Sequence, residues 1–159
     1  DGLALGREEA EGGVFLLTAL YAATTIVTAI VGGVLSDRLG RRKPFVIASG
    51  LVVSVAFAIL ALGGSFITAL IAAIVLGLGF GMYQAVDFAL ITQVLPDSGD
   101  RGRDVGSLNG ASGLPQLIAP LVSIALIGGF GVNYALIFGL GGVVSLLGSI
   151  LVVRIRGVD

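Results

Sequence analysis

Charged residues are absent from long intervals of this chain. Between Glu11 and Asp37 lie 25 residues without a charge, between Lys43 and Asp87 another 43, and between Asp104 and Arg154 another 49. Within these intervals Ala, Leu, Ile, Val and Gly follow one another without period-two alternation, which favours helices over transmembrane strands. A helix needs about 20 apolar residues to cross about 30 Å of hydrocarbon. An unbroken helix through the second interval would reach about 65 Å, so both long intervals must be divided. Gly63-Gly64-Ser65 divides one and the run from Gly128 to Asn133 divides the other. The pattern predicts five membrane helices near 12–36, 44–62, 66–95, 105–127 and 134–153. The fold class expected is therefore all-α, a polytopic membrane bundle, with 1–11 as an outer segment and 154–159 as a cytoplasmic tail.

Composition removes several alternatives. Of the 159 residues 56% are hydrophobic and 12% charged, against about 25% charged in an ordinary soluble domain. Nine Lys and Arg against ten Asp and Glu leave a net charge of −1, so no basic field exists to hold nucleic acid. Cysteine and histidine are absent, which excludes disulfides, thiolate metal sites and the commonest general base. No cofactor or metal is expected. The chain opens at Asp1, and its single Met is Met82, so it reads as a piece of a longer protein.

The cations also set an orientation, because Lys and Arg near span ends are retained in the cytoplasm. Arg38, Arg41, Arg42, Lys43, Arg101, Arg103, Arg154 and Arg156 fall on one side and Arg7 alone on the other. The N-terminus is expected outside and the C-terminus in the cytoplasm, in a cell membrane of bacterial type. Glycines inside the spans, including Gly77-x-Gly79-x-Gly81, permit close approach of helix backbones in lipid. The last run lacks the strand and spacing of a phosphate loop, so packing is its expected role.

The sharpest motif is the link Gly33-Val-Leu-Ser-Asp37-Arg38-Leu-Gly40-Arg41-Arg42-Lys43. A topology anchor would need only the cations; an acid followed by glycine at fixed offsets needs another reason. The segment resembles the signature loop of the major facilitator superfamily, G-x-x-x-D-[RK]-x-G-[RK]-[RK], at every specified position. Leu95-Pro96-Asp97, Asp100-Arg101-Gly102 and the Gly110 to Pro120 stretch are similar to that family's fourth link and the kinked helix after it. No glycine directly precedes Pro120, so the family's antiporter motif is not met. The resemblance implies a secondary transporter whose two six-helix halves rock around a central site. It also implies an ion pair between a loop arginine, here Arg41, and an acid near the cytoplasmic end of the neighbouring helix, here Asp87. The five spans fit helices eight to twelve or two to six; the short tail Arg154 to Asp159 and the 83–120 stretch favour the former.

Polar residues inside the spans form helical stripes. Thr18, Tyr21, Thr25 and Thr28 share a face of the first span; Asn109, Ser112, Gln116 and Ser123 share one of the fourth. Hydroxyls can back-bond to their own helix, yet two stripes on two helices suggest a shared wet path. By helical rise, Thr25 and Gln116 come nearest the midplane, where an alternating-access site belongs, and Tyr83 and Gln84 line its cytoplasmic half. Asp87, the one charge inside a span, lies near the cytoplasmic boundary and reads as an ion-pair partner, a binding carboxylate or a solvated one. The expected site is thus a gating loop of Gly33, Asp37, Arg38, Gly40, Arg41 and Arg42 with Asp87, beside a path of Tyr21, Thr25, Tyr83, Gln84, Asn109, Ser112 and Gln116. Expected partners are the lipid bilayer, the N-terminal helices of the same transporter and a small solute, neutral and polar such as a sugar. The rival readings are a non-transporting assembly subunit and an intramembrane enzyme, the latter short of a base for serine and of a second carboxylate.

Overall fold

The computed structural model describes the backbone of residues 7–40, 42–94, 101–130 and 133–153, with side chains over 10–40, 42–86, 113–129 and 133–152. Those residues form five helices and no strand: α1 (Arg7–Leu39), α2 (Lys43–Leu62), α3 (Phe66–Val94), α4 (Arg101–Phe130) and α5 (Tyr134–Val153). Helix α1 takes in residues ahead of the apolar run that opens at residue 12.

The ends of the helices follow from local chemistry. Gly40 adopts φ 60°, a left-handed conformation that side chains resist, and its N–H donates to the Ser36 carbonyl at 3.0 Å, which stops α1. Pro44 sits in the first turn of α2, where its missing N–H costs nothing. Ser65 caps α3 reciprocally: its Oγ accepts from the Thr68 N–H at 3.2 Å, and Thr68 Oγ1 accepts from the Ser65 N–H at 3.2 Å. Asn133 Oδ1 accepts from the Leu136 N–H at 2.9 Å and caps α5.

Four helices are packed in a row, α1 on α3, α3 on α2 and α2 on α5. Among the described residues α4 has no comparably extensive contact with another helix. The burial pattern is that of a lipid-solvated bundle. Apart from Val86, the buried positions among the described residues are small or hydroxylic, such as Ala56, Ala72, Ser36, Ser49, Ser54 and Ser149. Large apolar side chains point outward, among them Val27, Ile30, Leu121, Ile124, Val144 and Leu151. Water would not tolerate so extensive an apolar surface, whereas lipid rewards small residues at helix contacts. Among the described residues, four helices have the length and composition to cross a membrane. Helix α4 differs in carrying Pro115 and Pro120 within it, where each interrupts the backbone bonding.

Candidate functional site

Helix α3 is gripped from both sides through its glycines. Residues 77 and 81 share a helical face, and 79 lies opposite. A Cβ at Gly77 would lie against Thr24 Oγ1 and 2.7 Å from the Tyr21 carbonyl oxygen, and one at Gly81 would strike the Thr25 carbonyl oxygen, both on α1. A Cβ at Gly79 would lie 3.0 Å from the Ser49 carbonyl oxygen and 3.0 Å from the Val53 nitrogen, on α2. The seam between α1 and α3 relaxes toward the α1–α2 link, where Gly32 has 3.5 Å to Met82 and Gly33 has 3.8 Å to Ala85 for a virtual Cβ.

At that link, the chain turns back over Gly40 and brings Arg42 Nη2 to 3.8 Å from Asp37 Oδ1. The Arg42 side chain is largely covered, while Asp37 is exposed. Separation and exposure make this a long-range pair worth well under about 1 kcal/mol, so it orients the turn more than it stabilises it. Arg38 is exposed. Arg41 and the side chain of Asp87 lie outside the described residues, as do the side chains of Asn109 and Ser112.

The hydroxyls of the α1 stripe divide into two kinds. Thr18 donates to the Val14 carbonyl at 2.8 Å and Thr28 to the Thr24 carbonyl at 2.6 Å, satisfied by their own helix. Thr24, which the stripe omitted, does likewise toward Leu20 at 2.8 Å. Thr25 does not: its Oγ1 is buried without a partner of hydrogen-bonding geometry, and the Oγ of Ser36 is in the same condition. Thr25 and Tyr21 do adjoin α3. The Tyr21 ring lies 6.1 Å from Phe80, and Phe80 lies 6.4 Å from Tyr83, a tilted series within the range of favourable ring contacts.

This ring series joins two clefts. The one toward the α2–α3 turn, about 260 Å³, has Leu17, Thr18, Tyr21, Leu60, Ala73 and Leu76 among its walls. The one toward the start of α2, about 320 Å³, is bounded by Val46, Ser49, Phe80, Tyr83, Ser145 and Ser149 among others. Its serines already serve the bundle. Ser145 Oγ donates across helices to the Gly50 carbonyl at 3.0 Å, Ser149 Oγ to the Ser145 carbonyl at 2.9 Å, and Ser49 Oγ to the Val46 carbonyl at 2.8 Å. Gln84 is half-buried on α3, and Gln116 is exposed on α4, a helix with no extensive contact to α1 among the described residues.

Sequence reasoning passed over Phe80, Ser36 and the Ser145–Gly50 clasp. Phe80 and the clasp had a signal in aromatic and hydroxyl spacing; an orphaned hydroxyl has none, because it depends on what the neighbouring helix offers.

Comparison with known proteins gives these features a context. The sequence profile described as Major Facilitator Superfamily matches residues 5–159. The chain is 37% identical over 129 residues to the "Probable 4-methylmuconolactone transporter" of Cupriavidus pinatubonensis, covering 79% of this chain and 28% of that protein. It is 31% identical over 118 residues to multidrug resistance protein MdtL of Shewanella sp. strain ANA-3, covering 74% of this chain and 29% of that protein. MdtL of Shewanella oneidensis is 30% identical over the same length. The chain thus spans less than a third of the length of these bacterial relatives.

Proposed function

The chain belongs to the major facilitator superfamily, and from that premise we propose that the protein is a secondary transporter moving a small solute by alternating access. It is an integral membrane protein of helices, and its transporter-named relative points away from catalysis. The observation that carries the proposal is the α1–α2 turn. Gly40 in the left-handed conformation folds Arg42 back toward Asp37 beside the relaxed end of the α1–α3 seam. A link so shaped can hold two helix ends in one relative position and release them in another, which is what alternating access asks of the side that must open.

In this reading the gating loop is Gly33, Asp37, Arg38, Gly40, Arg41 and Arg42, with Arg41 paired to Asp87 on α3. The solute path is drawn from Tyr21, Thr25, Tyr83, Gln84, Asn109, Ser112 and Gln116, completed by helices beyond the matched stretch. Exposure of α4 residues Leu114, Leu117 and Leu121 supports that completion, because a proline-broken helix in the bilayer needs neighbours to serve its freed carbonyls. Residues 44–86 carry no charge, so the solute is neutral and polar, such as a sugar; the relatives' names extend the field to lactones and drugs. The N-terminus lies outside and the C-terminus in the cytoplasm, as the cations direct.

The test is Gln116→Leu in the full-length protein, assayed in proteoliposomes for uptake of a panel containing a hexose and 4-methylmuconolactone. Uptake of at least one of them by the parent, lost in the variant at equal protein density, supports the reading. Unaltered kinetics remove Gln116 from the path.

A further inference from the structure

The α1–α3 seam is tight at one end and loose at the other. Near mid-helix, Gly77 and Gly81 leave no room for even a methyl group against Tyr21, Thr24, Thr25 and Ala29. Toward the α1–α2 link, Gly32 and Gly33 leave ordinary contact distances to Met82 and Ala85. The interlocked contacts at Gly77 and Gly81 hold the two helices closer than the ordinary contacts of Gly32 with Met82 Cα and of Gly33 with Ala85 Cβ, so the latter part first. The seam is therefore built to pivot at Gly77 and Gly81 and to part at its link end.

Ser36 lies at that link end, on the face of α1 shared with Gly32 and Gly33. Its side chain is 1% exposed, and its Oγ has no hydrogen-bond partner. The other buried serines of the bundle, Ser49, Ser54 and Ser149, all donate to a backbone carbonyl of their own helix. Ser36 makes no such bond. A buried hydroxyl left unpaired disfavours the packed state by the whole of its lost hydration. That penalty vanishes once water reaches it.

We infer that the Ser36 hydroxyl sets the balance between packed and parted states of the α1–α3 seam, acting as a positioning residue for the conformational step of transport. It raises the free energy of the packed state and so increases the population that is parted at the link end. It lies beside Asp37, so parting the seam there moves the acidic anchor of the gating turn. Nothing in this role requires contact with the solute. The inference rests on the transporter reading for its purpose, but the seam's motion can be measured without any solute.

The experiment uses the full-length protein in detergent, with any cysteine outside these residues replaced and a single probe cysteine at Ala85, opposite Gly33. The labelling rate by a maleimide too bulky for the packed seam reports the parted population. Ser36→Ala removes the penalty and is expected to slow labelling by roughly 5- to 150-fold, the range of an unpaired buried hydroxyl. Ser36→Thr, which keeps the hydroxyl, should label at least as fast as the parent. Thr28→Val deletes a hydroxyl that is satisfied by the Thr24 carbonyl and should leave the rate within about twofold. Labelling of Ser36→Ala at or above the parental rate overturns the inference, and so does equal slowing in Thr28→Val. A slowed Ser36→Ala in a protein that moves no solute would leave the seam's role standing and refute the transporter reading.

Discussion

Gly81→Ala probes how hard α3 is held. The added Cβ would strike the Thr25 carbonyl oxygen and lie 3.0 Å from both the Thr25 carbonyl carbon and the Ala29 nitrogen. All three are backbone atoms of α1, so no rotamer change relieves them. Ordinary contact begins near about 3.5 Å, which requires α1 to retreat by about 1 Å along a seam of several turns. Overpacking of this kind costs about 1–3 kcal/mol. Replacing glycine by alanine in a helix returns up to about 1 kcal/mol. With rigid atoms on both sides the upper part of the first range applies, and the net loss expected is about 2 kcal/mol. Reversible unfolding of the full-length protein in mixed micelles by increasing dodecyl sulfate measures it. Gly139→Ala is the control, since nothing lies within 4 Å of a Cβ there, and it should be neutral or gain up to about 1 kcal/mol. A Gly81→Ala variant as stable as the parent would refute the packing of α1 on α3 by backbone contact.

Three other substitutions test separate parts of the structure. Ser145→Ala removes the hydroxyl that reaches across to the Gly50 carbonyl, and should cost about 0.6 kcal/mol, up to about 1.7, in the same unfolding assay; a larger loss would mean the clasp does more than join α2 to α5. For topology, a cysteine at Ser65 should be labelled by an impermeant reagent from outside intact cells, and one at Leu39 only after permeabilisation; the reverse pattern contradicts the assigned orientation. For the gating loop, Asp87→Asn and Arg41→Gln should each impair transport, and the exchange of the two charges should restore part of it, because a single change strands the other charge. Purely additive effects would show the two residues uncoupled.

What the sequence disclosed and what it hid divide along physical lines. Helix number and type were legible because the length of a hydrocarbon core and the absence of charge leave few solutions. The Gly77-x-Gly79-x-Gly81 run was legible as packing, but not that alternate glycines serve opposite neighbours, since that depends on α3 lying between α1 and α2 in the row. The signature loop announced itself by spacing. Its Asp37–Arg42 approach did not, because a turn over a left-handed glycine brings together residues no helical periodicity pairs. The α1 stripe shows the limit most clearly. Four residues three and four apart suggested one polar face, yet Thr18 and Thr28 turn their hydroxyls to their own backbone, while the buried Thr25 hydroxyl makes no such bond. Periodicity reports direction; it does not report partners.

Flux through the full-length protein tests the central claim most directly. Reconstituted in liposomes preloaded with unlabelled hexose or 4-methylmuconolactone, it should exchange at least one of them with external labelled solute, saturably and faster than protein-free liposomes. That exchange should fall further when Arg41 or Asp87 is neutralised alone than when both are neutralised together. Exchange indistinguishable from protein-free liposomes for both solutes, with the protein folded and inserted, would contradict the account.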